Sequence, residues 1–198
     1  MSIYLKVKAV ERVFNSLEKD IKSFQQSTGL GCVSGCGLCC HKPNITATAL
    51  EFLPFAYELY KQNLAYQWLD DLQTNKSGFC RILNPMPVEG SKGFCGHYQY
   101  RGLICRAFGF AAMKNKLGQP TLVTCKTIKT EFPESYERAS NHVSSGKNVP
   151  LMSNYYHQLR SIDSDLGREL IPINDAILSA VKVVLGHYAY RKPYRRRA

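Results

Sequence analysis

The sequence predicts a mainly α-helical fold with a small β-hairpin, in which a loop-rich, cysteine-bearing centre is packed between N- and C-terminal helices. Three observations carry that expectation. Apolar residues recur at helical spacing over the first 24 positions, two further helical stripes follow residue 150, and the stretch between them holds all eight cysteines among glycines and prolines.

Ile3, Val7, Val10, Phe14, Leu17, Ile21 and Phe24 repeat at four and three residues with charges between them, which makes one stripe of a helix about six turns long. Thr28 and Gly29 stop it, since glycine most easily takes the left-handed position after a helix. Three heptads are few for a dimer seam, so the stripe is read as packing within the chain. In the next zone Gly29, Gly31, Gly35 and Gly37 allow tight turning around Cys32, Cys36, Cys39 and Cys40. Thr48 and Glu51 have the spacing of a capping box that opens a helix through Leu53, Tyr57, Leu64 and Trp68, with Pro54 kinking it or moving its start. Asn84, Pro85, Pro87, Gly90 and Gly93 mark loops around Cys80 and Cys95. Residues 107–113 and 121–125, separated by 115–118, read as a short hairpin that brings Cys105 and Cys125 close together. Met152, Tyr156, Leu159, Ile162, Leu166 and Leu170 then form one helical stripe, and Asn174 or Asp175 caps a last helix through Ile177, Leu178, Val181, Leu185 and Tyr188. No internal repeat divides the chain. It is read as one domain over 1–198, with a packing helix (1–28), a cysteine-cluster region (29–130) and C-terminal helices with a basic tail (131–198).

With 198 residues and 44% hydrophobic content the chain has material for an ordinary core. Charges at Lys6, Lys8, Glu11, Arg12, Glu18, Lys19, Asp20 and Lys22 interrupt any export-signal run, and the apolar stretch 176–185 is short and broken by Lys182. The expectation is a cytoplasmic protein with no membrane segment, in which thiols stay reduced. The formal net charge is +11, with a basic end at Arg191, Lys192, Arg195, Arg196 and Arg197. No nucleic-acid motif accompanies that tail, so it reads first as a solvated terminus.

Four cysteines within positions 32–40 argue against incidental core packing, because a buried cysteine behaves as a small hydrophobe with no reason to cluster among glycines. Cys32, Cys36, Cys39, Cys40, Cys80, Cys95, Cys105 and Cys125 are the candidate metal ligands, enough for two four-thiolate sites or for one site with thiols to spare. One crowded loop with four scattered cysteines is not the paired-knuckle pattern of a zinc ribbon, which places an iron-sulfur cluster first and zinc second. Arg101 and Arg106 flank Cys105 and are candidate cofactor-binding residues that donate to metal-bound sulfur; their bland reading is ordinary surface or backbone contact. His41 and His97 stand beside cysteines but read as packed or solvated, Tyr98 and Trp68 as core residues, and Glu51 as a helix cap. Cys40 next to His41 is too close in sequence to establish a catalytic pair, and no catalytic residue is assigned.

The run Cys36-Gly37-Leu38-Cys39-Cys40, followed by Cys80, Cys95, Tyr98, Arg101, Cys105, Arg106, Phe108 and Cys125, resembles the YkgJ family of cysteine-cluster proteins, whose domain is called CxxCxxCC and described as zinc- or iron-chelating. The resemblance covers about half the chain. Three residues instead of two separate Cys32 from Cys36, and Gly102 and Gly109 stand where that pattern has proline. The resemblance implies metal binding more firmly than a reaction. Flagellin lysine methylases are similar in this domain, but no G-x-G-x-x-G follows a strand here and methyl transfer is not carried over. Two functional expectations result. One is an iron-sulfur (or iron) protein for electron transfer, redox chemistry or metal handling, working with a redox partner protein; the other is a zinc-stabilised module whose basic face meets nucleic acid.

Overall fold

The computed structural model describes residues 1–34, 36–75, 77–84, 93–146 and 149–190. Gly35, the loop residues Pro85, Pro87 and Gly90, and the basic end from Arg191 to Arg197 lie outside the described residues.

Helix α1 (Ile3–Thr28) buries the seven stripe residues, together with Val13 and Thr28. The Ser2 hydroxyl accepts from the Leu5 N–H at its start, and Gly29 at φ +70° closes its end. At 26 residues it is about 39 Å long. The capping box forms at Thr48 and opens a short 3-10 turn (Ala49–Phe52). Helix α2 (Leu53–Lys61) then starts with Pro54 in its first turn, where a missing N–H costs nothing. The helix expected to run from Leu53 through Trp68 is two. The chain breaks at Asn63, whose φ of +60° no continuing helix allows, and resumes as α3 (Ala65–Thr74).

Two small antiparallel ladders were not visible in the sequence: β1 (Thr46–Ala47) with β6 (Ile171–Pro172), and β2 (Leu83–Asn84) with β3 (Phe94–Cys95). The expected hairpin is present but shorter, β4 (Ala112–Lys114) with β5 (Pro120–Leu122), turning where Asn115 Oδ1 accepts from Leu117 N and Gln119 N. Its predicted first arm begins instead as helix α4 (Leu103–Ala107), so Cys105 is helical. After α5 (Lys126–Glu131) and α6 (Pro133–Ser144), the stripe read over 152–170 divides into α7 (Met152–Ile162) and α8 (Ser164–Arg168). Asp163 makes the break, its Oδ1 accepting from Asp165 N and Leu166 N, and Leu170 beyond it is exposed. The last helix, α9 (Ile173–Tyr188), is preceded by Pro172, so Asn174 lies inside it rather than at its cap.

Two hydrophobic clusters result. The larger joins α1, α2, α4, α7 and α9, and the smaller gathers Phe24, Leu30, Ala112, Ile128, Ala139 and Val143 under the end of α1. Helix α1 packs on α2, α4 and α7, while α9 packs on the other side of α2 and on α3, so α2 lies between the two terminal helices. Among the described residues no helix is long and apolar enough to cross a membrane.

Candidate metal centre

The thiols fall into two neighbourhoods. The first is built around a 3-10 turn (Leu38–His41), in which Cys40 N donates to Gly37 O at 2.9 Å and which presents Cys39 and Cys40. Two further segments are drawn onto it. Cys80 N donates to Cys40 O at 3.1 Å, and a methyl group on Gly37 would overlap the Gly93 carbonyl, so only glycine there lets the strand carrying Cys95 come this close. Cys105 comes from α4. Cys39, Cys40, Cys80 and Cys105 line one pocket of about 30 Å³, walled by Ile45, Ile104, Phe108 and Ile173. The β1–β6 pairing makes two of those walls adjacent, with Ile173 N donating to Ile45 O at 2.9 Å. Cys95 lies beside this pocket, within electrostatic reach of Cys39, Cys80 and Cys105.

Two polar residues, one buried and one half-buried, hold the pocket's parts. Glu51 is wholly buried; its Oε1 accepts from the Thr48 N–H at 2.7 Å, and its Oε2 accepts from Ile104 N at 3.0 Å. It thus ties the turn before α2 to the helix that carries Cys105. A methyl group on Gly102 would come within 3.0 Å of Glu51 Oε2 and of the Phe52 ring, so a side chain there needs those groups to shift slightly, while Gly109 sits at φ +95°, which proline cannot adopt. From α9, Asn174 Oδ1 accepts from Arg81 N at 2.9 Å, and its amide donates to Phe79 O at 2.8 Å and Ser77 O at 3.2 Å. Those three bonds fix the loop that bears Cys80. The sequence signalled Glu51 only as a cap and gave no sign of Asn174 beyond a capping role.

The second neighbourhood is Cys32, Cys36 and Cys125, with Cys39 facing it from the rim of the first. Cys32 and Cys39 are exposed. Cys125 caps α5, its Sγ accepting from Ile128 N at 3.4 Å, and packs against the smaller core. The expected proximity of Cys105 and Cys125 is replaced by this division, because α4 turns Cys105 toward Cys80 and Cys39. Among the described residues, no group of three or more histidine, cysteine, aspartate or glutamate side chains is arranged so that it could hold a metal ion.

Electrostatics explain what the first pocket asks for. Burial pushes Cys80 up to about 11, raises Cys95, and holds Cys105 well above the usual thiol range, so this low-dielectric site disfavours thiolates that lack a cation. The Cys40 thiol hydrogen-bonds Cys39 and draws it down to about 6, with the charge of Arg101 assisting, while Cys40 moves the other way. A metal ion held here would supply the missing positive charge to the rest. The donors are all sulfur, which fits zinc or iron and not a hard, oxygen-seeking cation.

Arg101 and Arg106 take different paths. Arg101 stacks on Tyr98 with its guanidinium carbon 3.5 Å from the ring centroid, donates from Nε to Tyr98 O, and acts electrostatically on Cys39 and Cys95. Arg106 points to the opposite side of α4. Its guanidinium pairs with Glu18, donates to Arg101 O at 2.8 Å and to Gln99 O, and lies over Phe14. That is the bland role read for it, since consecutive helical residues diverge by about 100°. His41 stacks edge-on to Phe79, and His97 packs against Phe55 and Trp68, as expected of packed histidines. Tyr98 is not a core residue; it is 64% exposed as the platform for Arg101.

Compared with known families, residues 31–131 match one whose description reads "CxxCxxCC: Putative zinc- or iron-chelating domain". No curated protein and no solved structure matches the chain.

Proposed function

The chain belongs to the CxxCxxCC family, a metal-chelating one, and from that premise we propose that it holds an iron-sulfur cluster in the pocket of Cys39, Cys40, Cys80 and Cys105, with Cys95 at its side, for electron transfer or related redox work. The observation that carries this reading is the convergence of four thiols on one apolar-walled pocket with a fifth beside it; at about 30 Å³ that pocket would have to widen to take a cluster. Such walls exclude water, and burial makes uncompensated thiolates unfavourable, so the pocket favours a cationic centre. Consecutive Cys39 and Cys40 suit a centre of more than one metal atom, where neighbouring sulfurs need not share one ion. When bound, the cluster supplies a one-electron couple. The chain's own residues would hold it, tune it through the charge of Arg101, and keep solvent from all but its Cys39 edge. A cytoplasmic setting would keep the thiols reduced.

One observation favours a second reading. The pocket encloses about 30 Å³, which is room for a single ion, and zinc there would make the protein a stabilised binding module whose basic face meets nucleic acid. Iron, zinc and acid-labile sulfide analysis with a visible spectrum, on protein purified without oxygen, decides between them. The expected result is equal iron and sulfide with a brown colour that bleaches in air. Stoichiometric zinc in a colourless protein overturns the iron-sulfur reading.

A further inference from the structure

The chain's charges are distributed unevenly with respect to its thiols. Segments 29–50, 72–88 and 90–130 carry all eight cysteines and ten lysines and arginines, and contain no aspartate or glutamate; the fifteen acids all lie elsewhere. The fold turns this pattern into a surface. Cys39 is exposed, and around it Lys42 follows in the same turn, its N–H donating to Cys39 O at 3.3 Å, while Arg101 reaches Cys39 electrostatically. Lys126 follows Cys125 in the neighbouring thiol group, and both lysines are exposed. Among the described residues none of these three cations is paired with a carboxylate.

Interleaved with the cations are exposed apolar side chains. Phe79 is 50% exposed and packs on His41 beside Cys40; Phe94 is 41% exposed on the strand that Gly37 admits; Val33 is 39% exposed between Cys32 and Cys36. Exposed apolar side chains beside cations of one sign suit a protein-protein contact. The exposed apolar side chains beside these cations favour a protein surface over a phosphate backbone, which asks chiefly for cations.

We infer that the face around Cys39 is the docking surface for an acidic protein, whose carboxylates meet Lys42, Arg101 and Lys126 while an apolar patch covers Val33, Phe79 and Phe94. The inference rests on the iron-sulfur reading in so far as the docked protein exchanges electrons with the centre. Its advantage is geometric and electrostatic together: the cations guide encounter toward the one edge where a thiol of the pocket reaches the surface, and the apolar patch holds the orientation.

The test titrates the intact, metal-loaded protein with flavodoxin, an acidic electron carrier, by calorimetry, with basic cytochrome c and a uridylate dodecamer as comparisons. Metal and sulfide are measured on the same samples. Flavodoxin should bind, cytochrome c should not, and affinity should fall about tenfold or more between about 50 and 300 mM salt. The double variant Lys42→Glu, Lys126→Glu should weaken binding at least about fivefold with metal content unchanged, because both side chains are exposed and pair with no described residue. Absence of flavodoxin binding, indifference to the charge reversal, or tighter binding of the dodecamer overturns the inference. A colourless zinc protein that still binds flavodoxin in this manner would defeat the iron-sulfur reading and leave the docking surface standing.

Discussion

Gly37 shows how a single residue sets the site. Its backbone angles are ordinary, so its requirement is purely steric: a side chain there meets the Gly93 carbonyl, which is backbone and cannot rotate aside. Gly37→Ala is expected to cost about 1–3 kcal/mol and to lower metal content, because the Cys95 strand must back away from the Cys39–Cys40 turn. Gly118→Ala is the control, at φ +77° with nothing nearby; thermal melts should show a cost of about 1 kcal/mol while metal content stays unchanged. At this scale the gathering of thiols was legible, since a dense cysteine run announces itself by residue type. What was not legible were partners brought from afar, such as Glu51 on Ile104 or Asn174 on the Cys80 loop, for which local spacing holds no signal. Glu51 also makes a pH prediction. Burial raises it to about 7 from 4.5, so between those values the folded protein keeps a proton that the unfolded chain has lost. Its contribution is full below the lower value and is lost as pH rises through the upper one, on the order of 3 kcal/mol. Denaturant unfolding at about pH 5 and 8 should show the wild type losing roughly that much relative to Glu51→Gln, and equal pH dependence of the two would refute the assignment.

Among the elements, α1 was readable from end to end because its stripe, its stop signal and its burial all agree. The helices after it were harder, because an apolar period survives a break in the chain. Leu64 and Trp68 keep the spacing set by Leu53 and Tyr57, yet Asn63 has already left helical space. Leu166 likewise continues the stripe of α7, although Asp163 has captured the next N–H groups for itself. In both places one polar residue decides a boundary that hydrophobic periodicity passes over. The same competition works at α9, where Asn174 holds three groups of the Cys80 loop from within a helix. Asn174→Ala should therefore leave the helical circular dichroism unchanged, cost about 1–3 kcal/mol, and speed the loss of metal to a chelator as Cys80 becomes mobile. If chelation proceeds at the wild-type rate, the loop is held by something other than this amide.

Over the whole molecule, the division of the thiols follows the division of the core. Cys80 belongs to the larger cluster and Cys40, Cys95 and Cys105 pack against it, whereas Cys125 packs against the smaller one, and α1 spans the two. Metal held in the first pocket would therefore tie together segments that already rest on a large apolar core, and its binding energy would add to the stability of that unit. The smaller cluster has six buried residues and fewer means of staying closed on its own. Two results should follow from this arrangement. Cys80→Ser and Cys105→Ser should each abolish the spectrum of the pocket's metal, while Cys125→Ser should leave it in place and lose only metal, if any, held with Cys32 and Cys36. Hydrogen exchange after metal removal should then show protection falling in the turn of Cys39, the Cys80 loop and α4, with α1, α2 and α9 still protected by their shared core. A uniform loss of protection across those three helices would mean that the metal organises the whole fold, and the two neighbourhoods would be one site. Retention in the helices with loss confined to the cysteine segments would place the metal on a scaffold that folds largely by hydrophobic burial, with the thiol loops as its most adjustable part.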